Sequence, residues 1–212
     1  YTMELGKKLE LKIEWVEEMN FGTYLQDIAN GRFDMECTGG WPNALRGKHA
    51  IYTDSIYYIP LVPFVRSDDN RFEDLEDINN PEIKVSVIDG ENGQSIRKEV
   101  FPLTQESSLP QTASGTQMLM DVANGKADVA FTDLYSGEAF IEKNQDTLKA
   151  LFVDNPLQLF PQNFTLGPNE FRFREMLNIA TEEMVLTGVI DRILNKYERP
   201  GSKSFYRLAK PY

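Results

Sequence analysis

The sequence has one cysteine and one histidine in 212 residues, and these two shortages restrict its chemistry. Because Cys37 is the only cysteine, no intrachain disulfide can form, and its place in an apolar strand favours a buried, inert thiol. His49 alone would have to serve any Ser-His-Asp relay, and the Gly-x-Ser-x-Gly turn is absent. Paired-cysteine and His-Glu-x-x-His metal patterns are absent too. We therefore predict no catalytic residue, no metal and no cofactor, and expect that the protein is not an enzyme.

Long apolar runs and basic charge are also scarce. No stretch approaches the roughly 18 consecutive apolar residues of a membrane-spanning helix, so we expect no membrane insertion by this segment. Lysine and arginine total 22 against 33 acidic residues, a net charge of −11, which argues against nucleic acid as a partner. No signal peptide opens the chain, and residues 1–8 resemble the tail of a helix. We expect the native chain to extend before Tyr1.

What the chain does contain is a repeat. Residues 25–34 recur in similar form at 119–128, and each copy leads after a few residues to a threonine, Thr38 or Thr132. Each copy predicts an amphipathic helix closed by a glycine, a basic residue at the helix end, and a short strand. The copies lie 94 residues apart, beyond the roughly 20–50 residues of solenoid repeats. The repeat favours two similar α/β lobes, although helix–glycine–strand units are common in α/β proteins.

Alternating strands and helices predict an α/β fold with two doubly wound parallel sheets. Prolines interrupt the β-rich run 56–66 and demote it to an edge or crossover, and a second crossover is predicted at 155–161. The predicted first lobe is 1–65 with 157–212, and the second, inserted lobe is 66–156. The first sheet is expected to begin with a strand at 9–16 and to lack the strand before it. The other predicted elements are helix 21–30, strand 33–38, helix 72–78, strand 83–88, a helix ending near 100, helix 115–124, strand 128–132, helix 134–144, strand 148–153 and helices from 169 to 198 divided at Gly188.

Candidate site residues follow from this topology, because ligands of open α/β sheets bind beyond the carboxyl ends of strands. Arg46 carries a planar, charged fork suited to a carboxylate, and the turn 90–95 offers backbone N–H groups to an anion. Trp41 offers a flat wall for stacking or cation–π contact, and Asp133 offers a carboxylate to an ammonium group. The candidate ligand-binding residues are Thr38, Gly39, Gly40, Trp41, Arg46, Glu91, Asn92, Gly93, Gln94, Ser95 and Asp133.

Each of these candidates also has an ordinary structural explanation. Arg46 suits a solvated surface, Trp41 a half-buried packing position, and Asp133 the N-cap of a helix. The turn 90–95 lacks the lysine of a phosphate-binding loop and the three-glycine dinucleotide pattern, so the sequence does not favour nucleotide binding. No pair of carboxylates can be assigned as acid and base from spacing.

The order of several motifs resembles one known family. In chain order they are Ala-Asn-Gly-Arg-Phe-Asp, Gly39-Gly40, Arg46, Thr53-Asp54, Tyr57-Tyr58, Val65-Arg66-Ser67-Asp68, Ala-Asn-Gly-Lys-Ala-Asp and the terminal stretch 187–197. In this order the chain resembles the solute-binding proteins of amino-acid ABC importers, the extracellular solute-binding family 3, over almost its whole length.

The resemblance implies a two-lobed type II periplasmic binding protein fold in an extracytoplasmic setting, periplasmic or membrane-tethered. It implies closure of the lobes on a small polar solute, an amino acid or related zwitterion. Arg46 would take the α-carboxylate, Asp133 the α-ammonium, and the other candidates would complete a polar cage. The implied partner is the membrane permease of an ABC transporter.

One departure from the family pattern leaves alternatives open. Glu91 stands in a turn where the family usually has hydroxyl residues, so a cationic or differently shaped solute fits as well. The module is also compatible with the ligand-sensing domain of a membrane receptor or kinase. A third alternative is a dehydratase-like enzyme on the same fold, for which Glu91 would be the acid.

Overall fold

The computed structural model describes residues 1–16 and 23–209, and the chain divides into two compact units. Unit 1 is formed from Tyr1–Tyr58, Phe160–Pro200 and Phe205–Tyr212, and unit 2 from Ile59–Leu159 and Gly201–Ser204. The predicted lobe boundaries, 1–65 with 157–212 and 66–156, stay a prediction.

Helices and strands alternate along much of the chain, which confirms the α/β class. The strands are β1 (Met35–Gly40), β2 (Ile51–Tyr52), β3 (Tyr57–Arg66), β4 (Lys84–Ile88), β5 (Gln105–Leu109), β6 (Val129–Asp133), β7 (Leu148–Ala150) and β8 (Gln158–Leu166). The α-helices are α1 (Thr2–Lys8), α2 (Tyr24–Ala29), α3 (Asn92–Val100), α4 (Gly115–Ala123), α5 (Leu134–Lys143), α6 (Phe171–Leu186) and α7 (Val189–Tyr197). Short 3-10 turns cover Arg46–Lys48 and Leu75–Ile78. No helix in the described ranges is long and apolar enough to cross a membrane.

In unit 1, β8 is the strand to which β1 and β2 both pair, each antiparallel. One face of these strands packs against α1, α6 and α7 in an apolar core that includes Phe164, Leu166, Leu177 and Met184. Cys37 is half-buried against this core, and burial raises the pKa of its thiol, which disfavours the reactive thiolate.

Three details of unit 1 differ from the sequence predictions. The period-two stretch from Leu9 forms no strand: Glu10 has φ of 53°, and the Leu11 N–H turns back to donate to the Gly6 carbonyl at 2.9 Å. Trp15 is therefore 64% exposed instead of lying on a sheet. Without that strand, the pairs seen among the described strands of unit 1 are antiparallel, where a parallel sheet was predicted. The predicted helix 21–30 begins at Tyr24 in the structure, and positions 21–22 lie outside the described residues.

Unit 2 contains the predicted parallel pairing. Strand β4 pairs in parallel with β5 and with β6, while β3 runs antiparallel to β6 and β7. Its core includes Val62, Phe64, Leu119 and Leu134 beneath α4 and α5. Strand β5 was not predicted, because its sequence Gln-Glu-Ser-Ser-Leu is polar and its side chains are largely solvent-accessible.

The prolines predicted to interrupt the 56–66 run lie within the continuous strand β3. The Pro63 carbonyl accepts from the Leu151 N–H at 2.9 Å, on the side of β3 away from β6. Since the N and C=O of one strand residue face the same side, the donor that Pro63 lacks is not one that β6 needs. Pro63 therefore leaves the β3–β6 pairing intact, and Pro60 lies just before the paired residues, which begin at Leu61.

The sequence repeat produces the same local structure twice. Gly31 and Gly125 both have φ of 71° and follow a helix end. The basic residue after each glycine donates its N–H to an aspartate carbonyl five residues earlier, at 2.9 Å in both copies. The left-handed glycine and this returning bond aim β1 and β6 from their helices in the same way.

Candidate functional site

A bulge near the end of β1 shapes the first candidate segment. Glu36 pairs with Thr165 and Gly40 with Asn163, so three residues of β1 lie opposite one residue of β8. A bulge of this kind releases backbone groups from the ladder and redirects side chains, and bulges are frequent beside active sites. Thr38 lies within the bulge and is exposed to solvent.

Glu36 is a polar residue of this segment that the sequence analysis did not select. It is buried to 3% exposure, and its Oε2 accepts from the Thr165 Oγ1 at 2.9 Å. Its Oε1 accepts from both the N–H and the Oγ1 of Thr38. The signal available in the sequence was a glutamate placed between the apolar Met35 and Cys37 of a buried strand.

Arg46 is held at the start of the 3-10 turn Arg46–Lys48. Its N–H donates to Asn43 Oδ1 at 2.9 Å, and its Nη1 donates to the Trp41 carbonyl at 3.0 Å. Its Cζ lies 5.8 Å from the centre of the Tyr24 ring, within cation–π range. The side chain is half-buried, and within residues 1–16 and 23–209 it forms no ion pair. The guanidinium is therefore oriented while most of its N–H groups stay available to an anion.

Tyr52 adds a second polar group near Arg46. Burial raises the pKa of its hydroxyl, and the neighbouring Tyr24 hydroxyl raises that pKa further. The Tyr52 phenol is therefore protonated across the physiological pH range. Tyr24, Tyr52 and Arg46 together give unit 1 a polar cluster on the side of β2 and the 3-10 turn.

Trp41 is fixed by stacking. Its ring lies parallel to that of Phe160, with centroids 4.1 Å apart and planes 2° from parallel. It is half-buried, as its ordinary structural explanation requires. The exposed part of a tryptophan held in this way can still serve as a flat wall for a solute.

In unit 2, the turn from β4 into α3 is braced by Gln94. Its Oε1 accepts from the Gly90 N–H at 3.2 Å, and its Nε2 donates to Glu106 Oε1 at 2.8 Å. Both polar ends of the Gln94 amide are thus occupied by this turn and by β5. Glu91 and Ser95 are exposed, and Glu91 is the N-cap of α3 without a side-chain capping bond.

Asp133 ends β6 and caps α5. Its Oδ1 accepts from the Ser136 N–H at 2.8 Å, which is the capping role that the sequence analysis set against ligand binding. A capping carboxylate keeps its second oxygen, so it can accept from a ligand as well. Within unit 2, α3 begins beside the end of β6: a methyl group added at Gly93 would lie 3.9 Å from the Phe131 carbonyl oxygen.

The structure thus brings the predicted residues together in two groups. Thr38, Trp41 and Arg46 share one region of unit 1. The turn 91–95 adjoins the β6 end of unit 2. Apposition of Arg46 with Asp133 stays a prediction.

An open cleft of about 490 Å³ lies elsewhere in unit 1, among α1, α6 and α7. Its rim carries the ion pairs Glu4–Lys7 at 2.7 Å and Lys8–Glu183 at 2.5 Å, and it contains none of the predicted site residues. Across the described residues, no cluster of three or more His, Cys, Asp or Glu side chains is arranged to hold a metal ion.

The sequence model of one protein family, the bacterial extracellular solute-binding proteins, family 3, matches residues 1–200. The chain belongs to this family. The glutamate-binding protein of Corynebacterium glutamicum is 24% identical to it over 172 residues, which are 80% of this chain and 57% of that protein. The present chain therefore spans little more than half the length of this family-3 relative.

Solved structures agree with the family on fold. The substrate-binding protein of an amino acid ABC transporter superposes with a TM-score of 0.75 at 21% identity, covering 92% of this chain and 84% of that one. An ancestral amino-acid-binding protein described as a precursor of cyclohexadienyl dehydratase also superposes with a TM-score of 0.75. It is 20% identical, and the match covers 92% of this chain and 81% of that one. At these identities the likeness shows the fold, and it confirms the type II periplasmic binding protein architecture for this family-3 protein.

Proposed function

We propose that this family-3 protein binds an amino acid or a related zwitterion outside the cytoplasm, by closure of its two lobes. We further propose that it delivers the solute to the membrane permease of an ABC importer. The observation that carries the proposal is Arg46, a half-buried guanidinium positioned by the Trp41 carbonyl and the Tyr24 ring but without an ion-pair partner in the described part of the chain. The names of the relatives, which are amino-acid-binding proteins, support the solute class.

Arg46 is proposed to hold the α-carboxylate through parallel N–H···O bonds, because its fork matches a carboxylate. Asp133 is proposed to accept from the α-ammonium with the oxygen that does not cap α5. Gly39, Gly40 and the turn 91–95 are proposed to supply backbone contacts, and Trp41 a stacking surface. A zwitterion that makes these contacts only in the closed state shifts the population toward closure.

Thermal unfolding in the presence of each L-amino acid tests this proposal. A ligand at about 100 times its dissociation constant stabilises the folded state by about 2.7 kcal/mol, enough for a clear rise in Tm. Arg46→Ala is expected to abolish the rise and Arg46→Lys to reduce it, because lysine keeps the charge but loses the fork. Arg172→Ala, at an exposed position of α6 in the same unit, is the matched control and should keep the full rise. An undiminished rise with Arg46→Ala would remove Arg46 from the site.

Enzymatic activity is a second candidate, favoured by one structural neighbour that is described as a dehydratase precursor. Glu91 is the carboxylate proposed for this role; it is exposed at the start of α3 and makes no capping bond. Incubation of the wild-type protein with a cyclohexadienyl substrate, followed by chromatographic detection of product, decides between binding alone and catalysis. Product that disappears with Glu91→Gln would establish catalysis.

A further inference from the structure

Glu36 carries a buried carboxylate beneath the exposed surface of the candidate site. The flanking Met35 and Cys37 side chains pack into the apolar core of unit 1, whereas Glu36 faces the other way, toward Thr165 and Thr38. In the described ranges no lysine or arginine forms an ion pair with it. Burying a carboxylate is costly unless hydrogen bonds satisfy it, and here three donors do so.

These bonds fix what Thr38 can offer to a solute. A threonine hydroxyl has one hydrogen and two lone pairs, and the Thr38 hydrogen is donated to Glu36 Oε1 at 2.5 Å. The Thr38 N–H is also donated to Glu36. Both donors of Thr38 therefore point inward. What its exposed side presents to solvent is the hydroxyl oxygen as an acceptor.

We propose that the side chain of the solute, and not its α-carboxylate, faces Thr38, and that Glu36 is a positioning residue that makes Thr38 an acceptor-only contact, so that the site selects solutes with a cationic or amide side chain over acidic ones. This inference rests on the proposed function and names the solute class for the same site. A solute carboxylate placed against Thr38 would find lone pairs facing lone pairs and would lose a hydrogen bond it made in water. An ammonium, guanidinium or amide N–H there would instead gain an acceptor backed by a nearby negative charge.

The competing explanation is that Glu36 only stabilises the β1 bulge. In that case, its replacement would change the stability of unit 1 and the affinity for every solute by the same factor. A positioning role instead changes the ratio between solutes. The measurement must therefore compare ligands of opposite side-chain charge on the same variant.

Titration calorimetry with L-arginine, L-lysine, L-glutamine and L-glutamate provides this comparison. The wild type is expected to bind at least one of the first three more tightly than glutamate. Glu36→Gln is expected to reduce that preference by about tenfold, since it removes the charge but keeps a side chain of the same shape. Thr38→Ser should keep the wild-type ratio because it keeps the hydroxyl, and Thr38→Val should lose the preference. Glu182→Gln, an exposed carboxylate on α6, is the matched control and should change nothing.

The outcomes separate the two proposals. Tightest binding of glutamate by the wild type would overturn the inference while leaving the amino-acid function standing. So would a preference that stays within about twofold of wild type in both Glu36→Gln and Thr38→Val. Failure of the wild type to bind any of the four would overturn the inference and count against the proposed function as well. Thr38 is exposed, so its variants keep the test valid even if Glu36→Gln fails to fold.

Discussion

Trp41 lies face to face with Phe160, 4.1 Å between ring centroids, and its carbonyl accepts from Arg46. A residue that contacts both the arginine and the aromatic stack will report a ligand that engages the arginine. The chain has one other tryptophan, Trp15, which is 64% exposed and belongs to an irregular segment. The intrinsic fluorescence of the protein therefore separates into one site reporter and one solvated background.

The first prediction uses this separation. Trp15→Phe is expected to keep the full change in emission when a bound amino acid is added, because Trp41 remains. Trp41→Phe is expected to remove most of the change while keeping a ring on Phe160. Emission spectra of the two variants, titrated with the same ligand, provide the check. A ligand-dependent change that follows Trp15 instead would place the reporter outside the Arg46 region.

The second prediction concerns Gly137 in α5. A methyl group there would collide with the Phe64 ring, which is fully buried. Helix propensity alone favours Gly137→Ala by up to about 1 kcal/mol, but overpacking of a core costs about 1–3 kcal/mol. We therefore expect Gly137→Ala to lower the free energy of unfolding, as measured by urea denaturation. Gly115→Ala, at a helical glycine with open space around it, is the control and should be neutral within about 0.5 kcal/mol.

The third prediction concerns a charged cluster in unit 2. Arg71 contacts Asp69 and Asp128 at 2.6 Å each, and Asp128 Oδ2 also accepts from the Lys84 N–H. The Arg71 hydrogen bond lowers the pKa of Asp69. At Asp128, burial alone would raise the pKa of the carboxyl group. The hydrogen bonds from Arg71 and the Lys84 N–H outweigh burial, so the pKa of Asp128 is lowered as well. The Arg71 side chain is 47% exposed, so solvent screens part of this effect, and Arg71→Ala should reduce the free energy of unfolding by about 0.5–1.5 kcal/mol at neutral pH.

The sign of the pH dependence follows from these lowered pKa values. The folded state binds fewer protons than the unfolded chain, in which the aspartates have a pKa of about 3.9. The stabilisation is complete above that value and is lost as the pH falls through the folded pKa values. The difference between wild type and Arg71→Ala should therefore be constant near neutrality and shrink below about pH 4. Lys98→Ala, at an exposed position of α3, should show no such convergence.

How far the sequence predicted the molecule depended on whether local or distant contacts decided each element. The repeat was predictable because a glycine at a helix end enforces the same left-handed turn wherever it occurs, as Gly31 and Gly125 show. The strand predicted from Leu9 to Trp15 was wrong, because alternation of apolar and polar residues indicates a strand only where a neighbouring strand is available to pair. Its backbone turns back on α1 instead.

The candidate site divides in a similar way. Arg46 was selected from its order among the motifs, and its ligand-binding role stays a prediction; two groups that hold it, Asn43 and the Trp41 carbonyl, lie close to it in sequence. Glu36 was not, since its importance comes from Thr165, which lies far along the chain and meets it through β8. Deciding whether a polar residue in an apolar strand is solvated, satisfied or functional requires knowledge of its cross-strand neighbour.

The prolines of β3 have a consequence before the chain is folded. The sequence Tyr-Tyr-Ile-Pro-Leu-Val-Pro-Phe-Val is strongly apolar and β-prone, and such a stretch tends to pair with copies of itself when it is exposed during synthesis. Each proline removes a donor that an added strand would need, so self-association of unfolded chains along this segment is opposed at two positions three residues apart. The folded strand accommodates both prolines, so the unfolded chain gains this protection without loss of β3.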